Sequence, residues 1–312
     1  MNTKIAVIGE CMLELSAPAH ANSSSVRSSS LSYGGDTLNT SVYLSRLGVG
    51  VEYITALGDD SMSDWLLEQW RAEGVGVSHV QRYVDSVPGL YMIELDESGE
   101  RSFLYWRKDS PATRLFNQAE SASKLFAELQ NCAWIYLSGI TLALYPDAAR
   151  ERLFESLQQY RTQGGKIIFD NNYRPTQWSD RAITHAVFDK MYALTDIALP
   201  SVEDELLVTG LSSEEDVVKR LTDFGIGEIV LKMGEKSCLV LNESVSEYVD
   251  TEEVSVVDTT SAGDSFNAGY IAARLRGQSA VASCAVGHRL ASTVIQHKGA
   301  IIPATAMPNI EL

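Results

Sequence analysis

Positive charge is scarce in this chain. Its 312 residues carry 25 Lys and Arg against 41 Asp and Glu, a formal net charge of −16. A field of that sign repels nucleic acid and anionic membrane surfaces, so neither is expected as a partner. Cysteine is scarce too. Cys11, Cys132, Cys238 and Cys284 lie far apart, with no CxxC and no His-paired metal spacing. The pattern argues against a disulfide framework and predicts buried free thiols in a reducing cytoplasm. No apolar run approaches the roughly 18 residues that span a membrane. The segment from Lys4 to Ala17-Pro18-Ala19-His20-Ala21 faintly imitates a signal peptide, but Glu10 and Glu14 interrupt its apolar part. His288 and His297 have no nucleophile or metal partner in the sequence pattern and read as ordinary helix or surface residues.

What is present is a regular order of elements. Hydrophobic residues make up 45% of the chain, enough for a sizeable core. Ile5–Gly9 reads as a buried strand, and Gly34-Gly35 opens a helical pattern through Leu38, Val42, Leu44 and Leu47. The Ser- and Asn-rich residues 22–32 read as a loop or exposed ribbon. Residues 89–107 read as a hairpin turning at Ser98-Gly99, with one polar and one apolar face. From residue 133 onward, strands alternate with helices of ten residues or more, which predicts a parallel sheet covered on both faces. Segments 10–35 and 85–108 break the alternation and are expected to form a separate small sheet.

The strongest local signal is Asp258-Thr259-Thr260-Ser261-Ala262-Gly263-Asp264, which follows a β-like stretch and opens a helix. Small residues let a ligand approach the backbone, and the first-turn N–H groups of a helix attract anions. An acid beside a phosphate is repulsive unless it takes a proton from the attacking hydroxyl. On spacing alone, Asp264 serves equally well as a complement to the helix dipole, and Asp258 as a turn or cap residue.

Asp258–Asp264 closely resembles the DTxGAGD signature of the ribokinase-like (PfkB) sugar kinases, with Ser261 where many relatives carry Gly or Ala. Gly34-Gly35-Asp36-Thr37-Leu38-Asn39 resembles that family's GGxxxN element, and the likeness runs nearly end to end. Five segments together resemble the branch acting on 2-keto-3-deoxygluconate: Gly9–Met12, Gly34–Asn39, Pro88–Tyr91, Tyr105–Arg107 and Asp170–Arg174. The resemblance implies a ribokinase-like α/β fold, a mostly parallel central sheet flanked by helices with a small β-sheet lid, as one domain over 1–312. It implies MgATP-dependent phosphorylation of 2-keto-3-deoxy-D-gluconate at the 6-hydroxyl. Asp264 would be the base, and the N–H groups of Ser261, Ala262, Gly263 and Asp264 the anion hole.

The same resemblance places Gly34, Gly35, Asp36, Asn39, Tyr91, Tyr105, Arg107 and Arg174 around the sugar. Two planar guanidinium groups suit a carboxylate better than a lysine does. Arg107 pairing with surface acids, and the tyrosines filling a hairpin core, are the plainer alternatives. Asn172, Ser201, Lys232, Gly234 and Gly263 would contact ATP. Asp204, or its neighbour Glu203, would position Mg²⁺ through water, although an acidic helix start explains both equally well. Lys232–Ser237 lacks the GxxxxGK[ST] spacing of a Walker site. Asp258 and Thr260 are where the family would hold a monovalent cation such as K⁺.

In relatives such lids pair between subunits, so a homodimer or higher homo-oligomer through the lid is expected. Two other functions fit the same residues. One is a related kinase for fructose or another keto sugar acid. The other is a noncatalytic sugar-acid sensor on a kinase fold.

Overall fold

The computed structural model describes residues 4–16, 28–95 and 101–312. The Ala17–Ala21 segment, most of the Ser/Asn-rich stretch and the Ser98-Gly99 turn lie outside the described residues. In chain order the first elements are β1 (Lys4–Ile8), β2 (Met12–Ser16), β3 (Ser30–Gly34), α1 (Asp36–Arg46), β4 (Gly50–Ile54), β5 (Ala56–Gly58) and α2 (Ser61–Ala72). β6 (Gln81–Tyr83), β7 (Leu90–Leu95), β8 (Arg101–Trp106), α3 (Ala119–Glu128), β9 (Cys132–Ser138), α4 (Gly139–Leu144), α5 (Asp147–Thr162) and β10 (Lys166–Asp170) follow. The chain continues through α6 (Arg181–Tyr192), β11 (Ile197–Ala198), α7 (Val202–Thr209), α8 (Glu214–Asp223) and β12 (Glu228–Lys232). It ends in β13 (Ser237–Asn242), β14 (Val245–Asp250), α9 (Ala262–Leu275) and α10 (Ala280–Val294).

The large sheet runs β14-β13-β12-β11-β10-β9-β1-β4. β4, β1, β9, β10, β11 and β12 are parallel, and β13 and β14 add an antiparallel edge. Alternation along the strands feeds two cores. Ile5 and Val7 of β1 join α1, α2, α9 and α10, whereas Ala6 and Ile8 join the core formed with α3 to α8. All four are fully buried, which explains why β1 is a continuous apolar run. The four cysteines are buried and free, as the composition predicts.

The smaller sheet runs β3-β2-β7-β8. Its faces differ from the polar-and-apolar expectation. Register places Leu13, Leu15, Leu31, Tyr33, Leu90, Met92, Leu104 and Trp106 on one face. The other face carries Glu14, Ser16, Ser30 and Ser32 on β2 and β3 and Tyr91, Ile93, Phe103 and Tyr105 on β7 and β8, so it is polar at one side and largely aromatic at the other. The rings of Tyr91, Phe103 and Tyr105 lie 6.0–6.4 Å apart.

Gly34 and Gly35 join this sheet to α1. A Cβ on Gly34 would stand 2.7 Å from the Tyr91 hydroxyl, and one on Gly35 would collide with the Glu10 carbonyl. Both positions need glycine for close approach. At the far end of the chain, Tyr43 of α1 donates to the Ala300 carbonyl at 2.7 Å and accepts from the Ile302 N–H at 3.1 Å. Arg46 donates to the Ile302 carbonyl at 2.6 Å, so the last segment grips the first helix.

Candidate active site

In an open parallel sheet the ligand site lies beyond the carboxyl ends of the strands. Here those ends deliver Glu10 after β1, Asp170 and Asn172 at and after β10, Ser201 after β11 and Lys232 at the end of β12. Two helix starts meet them. α1 begins with Asp36 and α9 carries Asp264 in its first turn, and neither helix has a side-chain cap. By contrast, Asp60, Asp180, Ser201, Ser213 and Ser279 cap α2, α6, α7, α8 and α10 with their own side chains. α3 and α5 also start without a side-chain cap, so what sets α9 apart is its meeting with these strand ends.

The Ala262 N–H bonds the Thr259 carbonyl at 3.2 Å. That amide, expected in an anion hole, is spent inside the turn. The N–H groups of Gly263 and Asp264 lie in the first turn of α9, beside this spent amide. Ser261 has φ 67°, the left-handed region, which explains why glycine suits this position in the family signature.

Asp264 is buried. Asn39 Nδ2 donates to its carboxylate at 2.8 Å. Burial pushes its pKa up to about 7, and the nearby Asp36 and Asp170 push the same way; Asn39 and Ser261 oppose them. The carboxyl of Asp36 is also raised, by burial first, while Asn172 Nδ2 donates to it at 2.9 Å. A carboxylate poised near neutrality is a better proton acceptor than an ordinary aspartate.

Behind α9 lies a second network that the sequence reading only partly found. Lys232 Nζ donates to Asp170 Oδ1 at 3.1 Å and to Asn267 Oδ1 at 3.2 Å. Asn267 Nδ2 donates to Asp170 Oδ2 at 2.7 Å and to the Tyr136 hydroxyl at 3.1 Å. Lys232 Nζ also stands 3.7 Å from where a Cβ on Gly263 would lie, placing its charge under the start of α9. Asp170 belongs to the Asp170–Arg174 segment noted in the sequence, whereas Asn267 was missed and could have been found. Asp170 ends a buried strand two residues before Asn172, and Asn267 lies one turn beyond Asp264.

Asn171 ties two strand ends together. Its Oδ1 accepts from the N–H groups of Asn172 at 2.9 Å and Ser201 at 3.0 Å, and its Nδ2 donates to the Ser201 carbonyl at 3.1 Å. Asn172 itself has φ 25°. Ser201 caps α7 by accepting from the Asp204 N–H at 3.2 Å. Asp204 accepts from the Tyr173 N–H at 3.1 Å and lies 3.8 Å from the half-exposed Arg174. Burial raises the Asp204 carboxyl and Arg174 opposes the shift. Glu205, unremarked in the sequence, is fully buried and accepts from Tyr192 and Asn171. Glu203 stays near the β12–β13 turn, 3.4 Å from where a Cβ on Gly234 would be, and Gly234 takes φ 65°.

Among the lid residues, Tyr91 donates to Glu14 and Tyr105 is half-exposed. Arg107 meets a buried acid rather than a surface one: its Nη2 lies 2.5 Å from Glu10 Oε2. Asp258 accepts from Thr260 Oγ1 at 2.6 Å and N–H at 3.0 Å, and from the Gly299 N–H at 2.9 Å, which closes the loop before α9. No group of three or more His, Cys, Asp or Glu among the described residues forms a metal cluster. The carboxylates of Asp36, Asp170, Asp204 and Asp264 nonetheless repel one another across this edge, a setting that favours a cation.

Residues 2–307 match the family described as pfkB family carbohydrate kinase. The chain belongs to this family. It is 45% identical over 316 residues to a 2-dehydro-3-deoxygluconokinase of Escherichia coli strain K12, covering 99% of this chain and 100% of that one. Among solved structures it superposes on a 2-dehydro-3-deoxygluconokinase of Thermotoga maritima with TM-score 0.83 and 21% identity, covering 97% of this chain and 95% of that one. A putative ribokinase II of E. coli in complex with ATP and Mg²⁺ gives TM-score 0.83 and 22% identity, covering 96% and 94%. The fold is ribokinase-like. No helix among the described residues is long and apolar enough to cross a membrane.

Proposed function

We propose that this kinase transfers the γ-phosphoryl group of ATP to the 6-hydroxyl of 2-keto-3-deoxy-D-gluconate. The observation that carries the reaction is the buried Asp264, held by Asn39 at 2.8 Å and raised to about 7 at the uncapped start of α9. The sugar acid is inferred from full-length likeness to 2-dehydro-3-deoxygluconokinases. Asp264 takes the hydroxyl proton as the oxygen attacks phosphorus. The N–H groups of Gly263 and Asp264, with Lys232 beneath them, stabilise the charge that builds on the transferring phosphoryl group. Asp204 fits Mg²⁺ through water, and the ion supplies charge neutralisation on the phosphates. Asn172, Ser201 and Gly234 border the ATP side. Gly34, Gly35, Asp36, Tyr91, Tyr105, Arg107 and Arg174 border the sugar, with the two arginines taking its carboxylate.

The decisive assay couples ADP release to a panel of sugars. 2-Keto-3-deoxygluconate should give the highest kcat/KM. A higher value for fructose or another keto acid would replace the substrate assignment, and tight sugar-acid binding without turnover would favour the sensor. Stimulation of turnover by K⁺ over Na⁺ that is lost in Asp258→Ala would support a monovalent cation beside Asp258 and Thr260. We further propose a homo-oligomer through the lid, because Leu31, Leu104 and Trp106 are exposed on its apolar face.

A further inference from the structure

We propose that Glu10 is the residue that positions Arg107 for the sugar carboxylate, an inference that rests on the sugar-acid reading above. No step of the phosphoryl transfer needs Glu10. Yet its side chain is only 1% exposed, and its Oε2 lies 2.5 Å from Nη2 of Arg107, itself 13% exposed. A buried carboxylate is costly unless it is paired, so the acid is a poor choice for simple packing at this position.

The surroundings are shaped around the pair. A Cβ on Gly89 would stand 3.1 Å from Glu10 Oε1, 3.4 Å from Arg107 Cβ and 2.9 Å from Met12 Cγ. A side chain at 89 would press on Met12 first and on Glu10 next, with Arg107 in ordinary contact. The pair also bridges two parts of the fold, since Glu10 leaves β1 of the large sheet and Arg107 leaves β8 of the lid. Arg107 follows Tyr105 by two residues, which continues the lid face carrying Tyr91 and Glu14. The carbonyl of Glu10 in turn abuts Gly35, the residue before α1 and its Asn39.

Guanidinium is a planar group with five N–H donors. Glu10 ion-pairs with Nη2 at 2.5 Å and leaves the other N–H groups of Arg107 to meet a ligand carboxylate. Two effects then oppose each other. The carboxylate cancels part of the positive charge that would attract a sugar acid. It also orders a long side chain during folding, so that ordering is not paid again on binding. The proposal commits to orientation as the larger effect. Removing Glu10 should therefore weaken sugar-acid binding, whereas a pure charge argument predicts tighter binding.

Two substitutions break the pair differently. Glu10→Gln removes the charge at nearly constant shape, and Gly89→Ala keeps both charges but crowds Glu10. Steady-state kinetics would be measured with 2-keto-3-deoxygluconate and with its analogue reduced at the carboxylate to an alcohol. In both variants KM for the acid should rise about tenfold while KM for ATP stays within about twofold. The preference for the acid over the alcohol should fall with it. A merely structural role would change both sugars and ATP alike. Unchanged or lower KM for the acid, or equal losses for acid and alcohol, would overturn the positioning role. Should Glu10→Gln fail to fold, Gly89→Ala carries the same comparison. An active wild type with unchanged variant selectivity sinks the positioning alone. A wild type inert toward every sugar acid sinks the substrate reading and the positioning with it.

Discussion

Asn39 donates to the Asp264 carboxylate at 2.8 Å from a position 225 residues earlier in the chain. That bond favours the ionised acid, against burial and the neighbouring Asp36. Asn39→Ala should make Asp264 harder to ionise. The acid limb of kcat/KM, set near pH 7 in the wild type, should move up by about one unit, or ~1.4 kcal/mol. A pH–rate profile of the two proteins checks this; an unmoved limb would detach Asn39 from the base.

Asp264→Asn removes the proton acceptor while keeping the shape. Turnover should fall on the order of 10²–10⁴-fold. Stability should move the other way. The folded-state pKa is raised from an ordinary 3.8 to about 7, so the native protein holds the proton more tightly than the unfolded chain. Wild-type stability therefore falls as pH rises from about 4 to about 7 on account of this group. The variant escapes that loss and should be more stable above pH 7 by a few kcal/mol at most, on the order implied by such a shift. Below pH 4 the difference should vanish, as denaturant titrations at both extremes would reveal.

Lys232→Met leaves Asp170 buried without the ammonium it meets at 3.1 Å. Breaking such a pair costs about 3–5 kcal/mol. The double variant Lys232→Met with Asp170→Asn should recover part of that loss, because the uncompensated charge is gone. Neither variant should recover turnover if the ammonium under Gly263 assists phosphoryl transfer. Equilibrium unfolding read beside kcat separates the two roles.

Ser261→Gly should stabilise the fold by about 1 kcal/mol, since φ 67° strains any residue with a Cβ. Thermal unfolding of the two proteins tests this.

Leu104→Lys with Trp106→Ser should disperse the assembly if the lid's apolar face is an interface, since both residues are about half-exposed in the single chain. Sedimentation should then show a smaller species than wild type. An identical sedimentation coefficient would move the interface elsewhere.

Periodicity and turn chemistry revealed the large parallel sheet, because most strand ends there are marked by glycine, proline or an acidic turn. The antiparallel edge of β13 and β14 was less legible. Short half-exposed strands such as Val245–Asp250 carry no strong alternation. The lid's second face also escaped, since aromatic residues read as core whether or not anything covers them. At the site, Asp264 and Asn39 were legible through a motif. Glu10, Glu205 and Asn267 were not, because their importance comes from burial and from partners distant in sequence.

The grip of Ala300 and Ile302 on Tyr43 and Arg46 has a temporal side. The helix bearing Asn39 is made before its partners, and its hydrogen bonds to Ala300 and Ile302 wait for a further 256–259 residues of synthesis. Asp264 emerges 225 residues after the partner that supports it. A nascent chain therefore exposes Asn39 long before Asp264 arrives to accept its hydrogen bond.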